Sequence, residues 1–385
     1  MNSVAEPLIN DRYAGSPSER VLDRIIKKRD AGIPVVGMYC GYAPVELVRA
    51  AGAVPVFLCS FSRKTIPEAE TVLPSNLCPL IKSSFGFIRT DSCPFYALSE
   101  AIIGETTCDG KKKMFELISH IKPTHVMDLP QMPDEAEAFV NWTAMVHKLK
   151  GFLEKTFQTA VTEDRVESEI RETNRKNRLM NGFFNYAAHS PPPLSWKDMY
   201  DVIAMELISE SDELARLLDD IAIKIGRRLE RTSCAHNGYA PRVLVSGCPV
   251  GGDAVKVFNV IEEAGGDVVA MEACSGMKGY SIEIEEDTGD PVSALARAYL
   301  KIPCSCMSPN NGRIEMLDAM ISRFRPDAVI DVILMACHSY NVESYRVERH
   351  VQERHGLPFL KVETDFTDSD RAMIRTRVQA LLENI

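Results

Sequence analysis

Eleven cysteines in 385 residues are the groups of this sequence best able to do chemistry. The densest run lies between Asn76 and Lys113, where Cys78 and Cys93 each precede a proline and Cys108 precedes Asp109-Gly110, places where a chain tends to turn. Cys40, Cys59, Cys248, Cys274 and Cys337 each close a short apolar run, and Cys304-Ser305-Cys306 forms a CxC. No CxxC pair occurs, so zinc-ribbon and ferredoxin spacings are absent. Free cysteine also serves as a small buried apolar residue. That role suits some of these thiols, but poorly those at loop starts beside Pro, Gly, Asp and Ser. Soft thiolates suit zinc and iron–sulfur centres. Single thiols so widely spaced suit a centre assembled by the fold and open to substrate where a thiolate is missing.

Bulk composition narrows the setting. Apolar residues at 45% and charged residues at 25% are ordinary for a globular protein. A net charge of −10 argues against nucleic acid and anionic membranes as partners. No apolar stretch reaches transmembrane length, and Met1–Arg20 has no signal core, so a cytoplasmic protein is expected. In that reducing compartment the cysteines are not a disulfide framework.

The elements that must position these thiols alternate between strand and helix. A lead-in over residues 1–31 holds a helix at Ser18–Ala31. A first lobe over 32–132 reads as strands at Ile33–Cys40, Ala53–Leu58, Ala101–Gly104 and Thr124–Leu129, with helices at Pro44–Gly52 and Lys111–Ile121. Residues 133–240 change to helical periodicity, interrupted by Pro191-Pro192-Pro193 and closed by a polar loop at Arg231–Ala240 that holds Cys234. The second lobe, 241–385, repeats the first. Arg242–Cys248 matches the strand ending in Cys40, and Val268–Cys274 the one ending in Cys59. Cys306 with the helix Arg313–Phe324 matches Cys108 with its helix, and Asp327–Leu334 matches Thr124–Leu129. Pro358–Glu363 is a last strand and Ser369–Asn384 a closing helix. The expected fold is therefore α/β: two Rossmann-like lobes with parallel sheets from an internal repeat, a helical connector, and a metal centre in the cleft between them.

Several strings carry a family resemblance. Asn76-Leu77-Cys78-Pro79-Leu80-Ile81-Lys82-Ser83-Ser84, Gly104–Met114, Gly247-Cys248-Pro249, Cys304-Ser305-Cys306 and Asp331–His338 resemble the 2-hydroxyacyl-CoA dehydratase and benzoyl-CoA reductase family, and within it the double-cubane cluster proteins. The resemblance spans the chain from about Gly32 onward. It implies a double-cubane [8Fe-9S] cluster, whose first cubane takes Cys78, Cys108 and Cys337. Cys306, Cys274 and Cys40 are the expected second triad, with Cys59, Cys93, Cys248 and Cys304 as open alternatives and Cys234 as a bystander. His338 and Glu105 are the expected proton-handling groups, with Glu343 a weaker candidate. Lys111-Lys112-Lys113 reads as a docking patch for an acidic partner, with a plain solvated helix start as the alternative. The resemblance further implies low-potential reduction of a small molecule, a homodimer, and electrons from a separate ATP-hydrolysing iron–sulfur activator. The alternative is a 2-hydroxyacyl-CoA dehydratase subunit acting through one [4Fe-4S] cluster and a ketyl radical; a third reading is an electron-storing protein. Gly247–Gly252 lacks both the GxGxxG and the Walker spacing, so no nucleotide site is expected.

Overall fold

A computed structural model describes residues 8, 9, 15–234 and 240–385. After α1 (Pro17–Asp30), the chain runs β1 (Val35–Met38), α2 (Val45–Ala50), β2 (Val54–Phe57), α3 (Ile66–Ala69), α4 (Pro79–Arg89), α5 (Pro94–Leu98), β3 (Ala101–Glu105), α6 (Asp109–Ser119) and β4 (Thr124–Met127). Four helices follow: α7 (Ala136–Phe157), α8 (Glu163–Phe184), α9 (Trp196–Ile208) and α10 (Ser211–Cys234). The remainder is β5 (Arg242–Gly247), α11 (Lys256–Glu263), β6 (Asp267–Glu272), α12 (Pro291–Leu300), α13 (Asn311–Phe324), β7 (Ala328–Leu334), α14 (His338–His355), β8 (Phe359–Thr364) and α15 (Arg371–Leu382).

The two sheets have the same topology. Their strand orders are β2-β1-β3-β4 and β6-β5-β7-β8, and every pairing is parallel. Central strands β1, β3, β5 and β7 are buried along their whole length, which is why they read as continuous apolar runs rather than alternating ones. Each sheet reverses its winding between its first and third strands, and ligands of open α/β sheets bind outside the strand ends at such a point. Cys40 and Cys108 follow those strands in one sheet; Cys248 and Cys337 follow them in the other.

This topology corrects two of the expected correspondences. β7 occupies the place of β3, so Asp327–Leu334 is the counterpart of Ala101–Gly104 and not of Thr124–Leu129. Cys337, leading into α14, therefore matches Cys108, leading into α6. Cys306 precedes α13, which joins the second and third strands of its sheet as α4 does, so its counterpart is Cys78. The difference arises because α4 and α14 leave little trace in the sequence, and without them the halves align one element out of step.

Other expectations are also revised. α10 continues to Cys234, past the point where the sequence suggests a polar loop; residues 235–239 of that loop lie outside the described residues. Residues 1–7 and 10–14 of the lead-in lie outside them too; Leu8 and Ile9 are buried. α12 and the segment after it, through Met307, pack into the core beneath the first sheet with Trp142, Val146 and Leu47. The lobes are thereby joined covalently and through a shared core. Tyr299 adds a buried hydrogen bond across this seam, to Glu46 Oε2 at 2.9 Å.

Gly247 ends β5 with φ +111°, and a Cβ there would meet the carbonyl of Val332 in the neighbouring strand. Gly247→Ala should therefore cost about 2–4 kcal/mol, read as a lowered urea midpoint, because neither backbone conformation nor space admits the methyl group.

Candidate metal centre

Cys78, Cys108 and Cys337 occupy one kind of position. Each is the N-cap residue of a helix: α4, α6 and α14 respectively. Pro79 suits the first position of α4, where no amide is needed. The Cys108 Sγ accepts from the Lys111 amide at 3.5 Å. Amides of Leu80 and Ile81 likewise favour a charged Cys78, and that of Tyr340 a charged Cys337. Helix N-termini carry partial positive charge and stabilise anions, thiolates included. Burial opposes this and pushes Cys78 up to about 12, followed by repulsion from Cys337 and Cys108. Cys337 is held below the usual thiol range, first by a hydrogen bond from Cys248. Cys248 is fully buried, accepts from the Leu334 amide at 3.3 Å, and is pushed up by burial. These four thiols form one group.

A second group faces it. Cys304 is held down to about 5, first by a hydrogen bond from Cys306, with the Lys278 and Lys111 ammoniums assisting against burial. Cys306 lies 3.9 Å from the Tyr42 hydroxyl, which donates to the Ile302 carbonyl at 2.8 Å. Cys274 feels Lys278 and Cys304, and burial raises it to about 11. Cys40 completes the turn after β1 in the left-handed region at φ 56°, a strained conformation for a residue with a Cβ. Ala336, just before Cys337, shows the same feature at φ 59°. Cys108 and Cys274 are exposed to solvent, yet burial is the leading influence on both thiols.

Lys111 links the two groups. Its Nζ lies 2.6 Å from Cys40 Sγ and 4.0 Å from Cys59 Sγ, and it attracts Cys108, Cys274 and Cys304 as well. Its side chain is buried, which corrects the reading of Lys111-Lys112-Lys113 as one surface patch. Lys112 and Lys113 are exposed and pair with Asp109 and Glu116. A buried ammonium is costly unless an anion offsets it. The atoms placed to do so here are sulfurs.

A buried ionic network fixes the second lobe's loops. Arg313, fully buried, pairs with Glu272 at 3.2 Å, Asp331 at 3.2 Å and Glu343 at 2.6 Å, and lies over the Tyr340 ring. Lys278 pairs with Glu272 at 2.6 Å and donates to the Pro303 carbonyl at 3.1 Å. Asn310 bonds both Glu343 and the Cys304 carbonyl. Glu343 is thus a bracing residue for the CxC loop. Burial pushes the Glu272 carboxyl up, but Lys278 and Arg313 more than offset it.

The remaining expected residues fall into place as follows. Glu105 is fully buried; its Oε1 accepts from the amides of Tyr42 at 3.0 Å and Ala43 at 2.7 Å, while Oε2 has no partner. It holds the turn that carries Cys40 and is closed off from solvent. Burial raises it to about 7. His338 is exposed at the first position of α14. Cys93 caps α5, accepting from the Tyr96 amide at 3.4 Å within the core, and no other thiol is among the leading electrostatic influences on it. The Cys234 side chain lies outside the described residues. Sequence reasoning missed Lys111, Tyr42, Lys278 and Arg313 as parts of the site. Only Lys111 carried a signal, being three residues past an N-cap cysteine and set against the helix dipole.

The donor set fits a polynuclear iron–sulfur centre. All ten described cysteines are free; eight make up the two groups, and Cys59 adjoins them through Lys111. Among the described residues, no three of these thiols lie within 4.8 Å of one another. A single tetrahedral zinc, with Zn–S near 2.3 Å, would need sulfurs about 3.8 Å apart. The thiols thus form all-sulfur sets spaced more widely than one ion requires.

Fold and site together define a two-lobed α/β protein in which thiols from both lobes lie close enough to influence one another. Residues 40–385 match the family described as 2-hydroxyglutaryl-CoA dehydratase, D-component, and the chain belongs to that family. It is 42% identical over 378 residues, covering 98% of both chains, to the Escherichia coli (strain K12) protein named "Putative dehydratase subunit YjiM". It is 22% identical to the lactoyl-CoA dehydratase subunit beta of Anaerotignum propionicum, over 92% of this chain and 93% of that one. A benzoyl-CoA reductase subunit of Thauera aromatica is 20% identical over 71% of this chain and 70% of its own. The family is one of enzymes. Among the described residues no helix is long and apolar enough to cross a membrane.

Two outcomes follow from this geometry. Arg313→Leu leaves Glu272 and Asp331 buried without their cation and should cost about 3–5 kcal/mol in denaturant unfolding. For Glu105, the folded carboxyl titrates near 7 against a usual 4.5, so the unfolded chain ionises first. Stability of the metal-free protein should therefore fall as pH rises between those values and level off above them. Glu105→Gln should flatten that slope in unfolding curves taken at a series of pH values.

Proposed function

We propose that this chain is an iron–sulfur reductase that binds a double-cubane [8Fe-9S] cluster in the interlobe cleft and reduces a small molecule with low-potential electrons. The observation that carries this reading is the pair of thiol groups, each drawing on both lobes and each larger than a three-thiolate cubane needs. Cys78, Cys108 and Cys337 would hold one cubane, their thiolates favoured by three helix N-termini. Cys40, Cys274 and Cys306 would hold the other, with Cys59, Cys248 and Cys304 able to substitute. When bound, such a centre supplies electrons at an iron that no protein thiolate closes off. Around it, Lys111 and Lys278 offset the negative charge of the sulfurs, and Glu105 and Arg313 hold the loops that carry Cys40 and Cys304. His338, exposed beside Cys337, would move protons to and from the cleft. A separate ATP-hydrolysing iron–sulfur activator would deliver the electrons, and two copies of the chain would form a homodimer.

A second reading has its own support. The relatives named as dehydratase subunits favour a 2-hydroxyacyl-CoA dehydratase subunit holding a single [4Fe-4S] cluster on Cys78, Cys108 and Cys337, paired with a different subunit. Iron analysis separates the two. Anaerobically purified protein should contain about eight irons per chain on the first reading and about four on the second. Cys274→Ser and Cys306→Ser should lower iron content on the first reading and leave it unchanged on the second. Cys93→Ser should change nothing on either, and Cys78→Ser should lower iron on both.

A further inference from the structure

We propose that Asp318, His350 and His355 form a second metal site, for one zinc-like divalent ion, on the far side of α13 and α14 from the cysteines. Both histidine Nε2 atoms lie 2.6 Å from the same oxygen, Asp318 Oδ1. The three donor atoms all fall within 4.8 Å of one another. This convergence is not a by-product of helix periodicity. Residues five apart on a helix point about 140° away from each other, yet both rings reach one carboxylate on a neighbouring helix. They can do so because α14 stops at His355, with Gly356 in the left-handed conformation at φ 66°.

The chemistry selects the ion. Two imidazoles and one carboxylate suit zinc and its neighbours, whereas magnesium and calcium prefer all-oxygen shells. Zinc bonds to nitrogen and oxygen at about 2.0–2.2 Å, which separates ligand atoms by about 3.3 Å. The present contacts need widen by less than an ångström to admit it. His350 and His355 are about one-fifth exposed and Asp318 two-fifths, so one side stays open for a water ligand. Arg346 and Arg349, on the same helix as the two histidines, are bonded to Asn311 and Glu353 respectively.

The site's position gives it a role. α13 begins just past the Cys304–Cys306 loop, and α14 begins just after its N-cap, Cys337. An ion bridging Asp318 to the end of α14 clamps together the two helices whose N-termini present those thiols. It would lie about 20 Å along the α14 axis from Cys337, and it differs in donor chemistry from the all-sulfur cleft. The inference is independent of which cluster the cleft holds.

The test titrates zinc chloride anaerobically into cluster-loaded protein, measuring zinc retained after gel filtration and the thermal unfolding midpoint. Wild type should retain one additional zinc per chain and unfold at higher temperature. Asp318→Asn and the double variant His350→Gln/His355→Gln should lose both effects while keeping wild-type iron content. Equal zinc retention and equal midpoints in all three proteins would overturn the proposal. Zinc-edge anomalous scattering from wild-type crystals provides a check that no variant's folding can confound. It should place the ion among these three side chains, and a zinc peak found only in the cleft would also refute the site.

Discussion

The constraint on which this structure depends is the gathering of many soft sulfurs from two folded lobes. Thiolates crowded together repel, and burial raises the energy of each. The fold answers with oriented backbone dipoles. Cys78, Cys108 and Cys337 each begin a helix, and parallel sheets with crossover helices place such N-termini at the carboxyl ends of their strands. Because both sheets wind in the same order, each contributes this end, and the dipoles converge from two sides.

Fixed charge completes the compensation. Lys278 and Arg313 balance Glu272, Asp331 and Glu343 in a buried network that braces the CxC loop. Lys111 differs, because its hydrogen bonds go to cysteine sulfurs. Such arrangements give little net stability, since desolvation offsets most of the attraction. Their value lies in fixing geometry: with Arg313 and Asn310 in place, the Cys304 carbonyl and the following loop have few alternatives.

Much of this was legible in the sequence for identifiable reasons. The eight strands announced themselves because buried parallel strands are short continuous apolar runs, and each of the eight expected runs overlaps a strand. The strand-end cysteines followed from that, since a residue closing such a run must face the loops. Helices α4 and α14 are harder to see. α4 is almost wholly buried, so Pro79–Arg89 shows little polar face, and α14 is so polar that its apolar stripe is thin. Without them the two halves align wrongly, and Cys306 falls opposite Cys108.

By itself the sequence determined the class of fold, the identity of the thiols and their location at strand and helix ends. These depend on local pattern: apolar runs of strand length, and prolines or Asp-Gly after cysteine. Tertiary structure alone decided which thiols meet, that Lys111 turns inward while Lys112 and Lys113 face water, and that Glu105 braces a turn. It also brought Asp318 to two histidines more than thirty residues away. Those outcomes depend on distances between segments remote in the chain, and a short-range pattern carries no information about them.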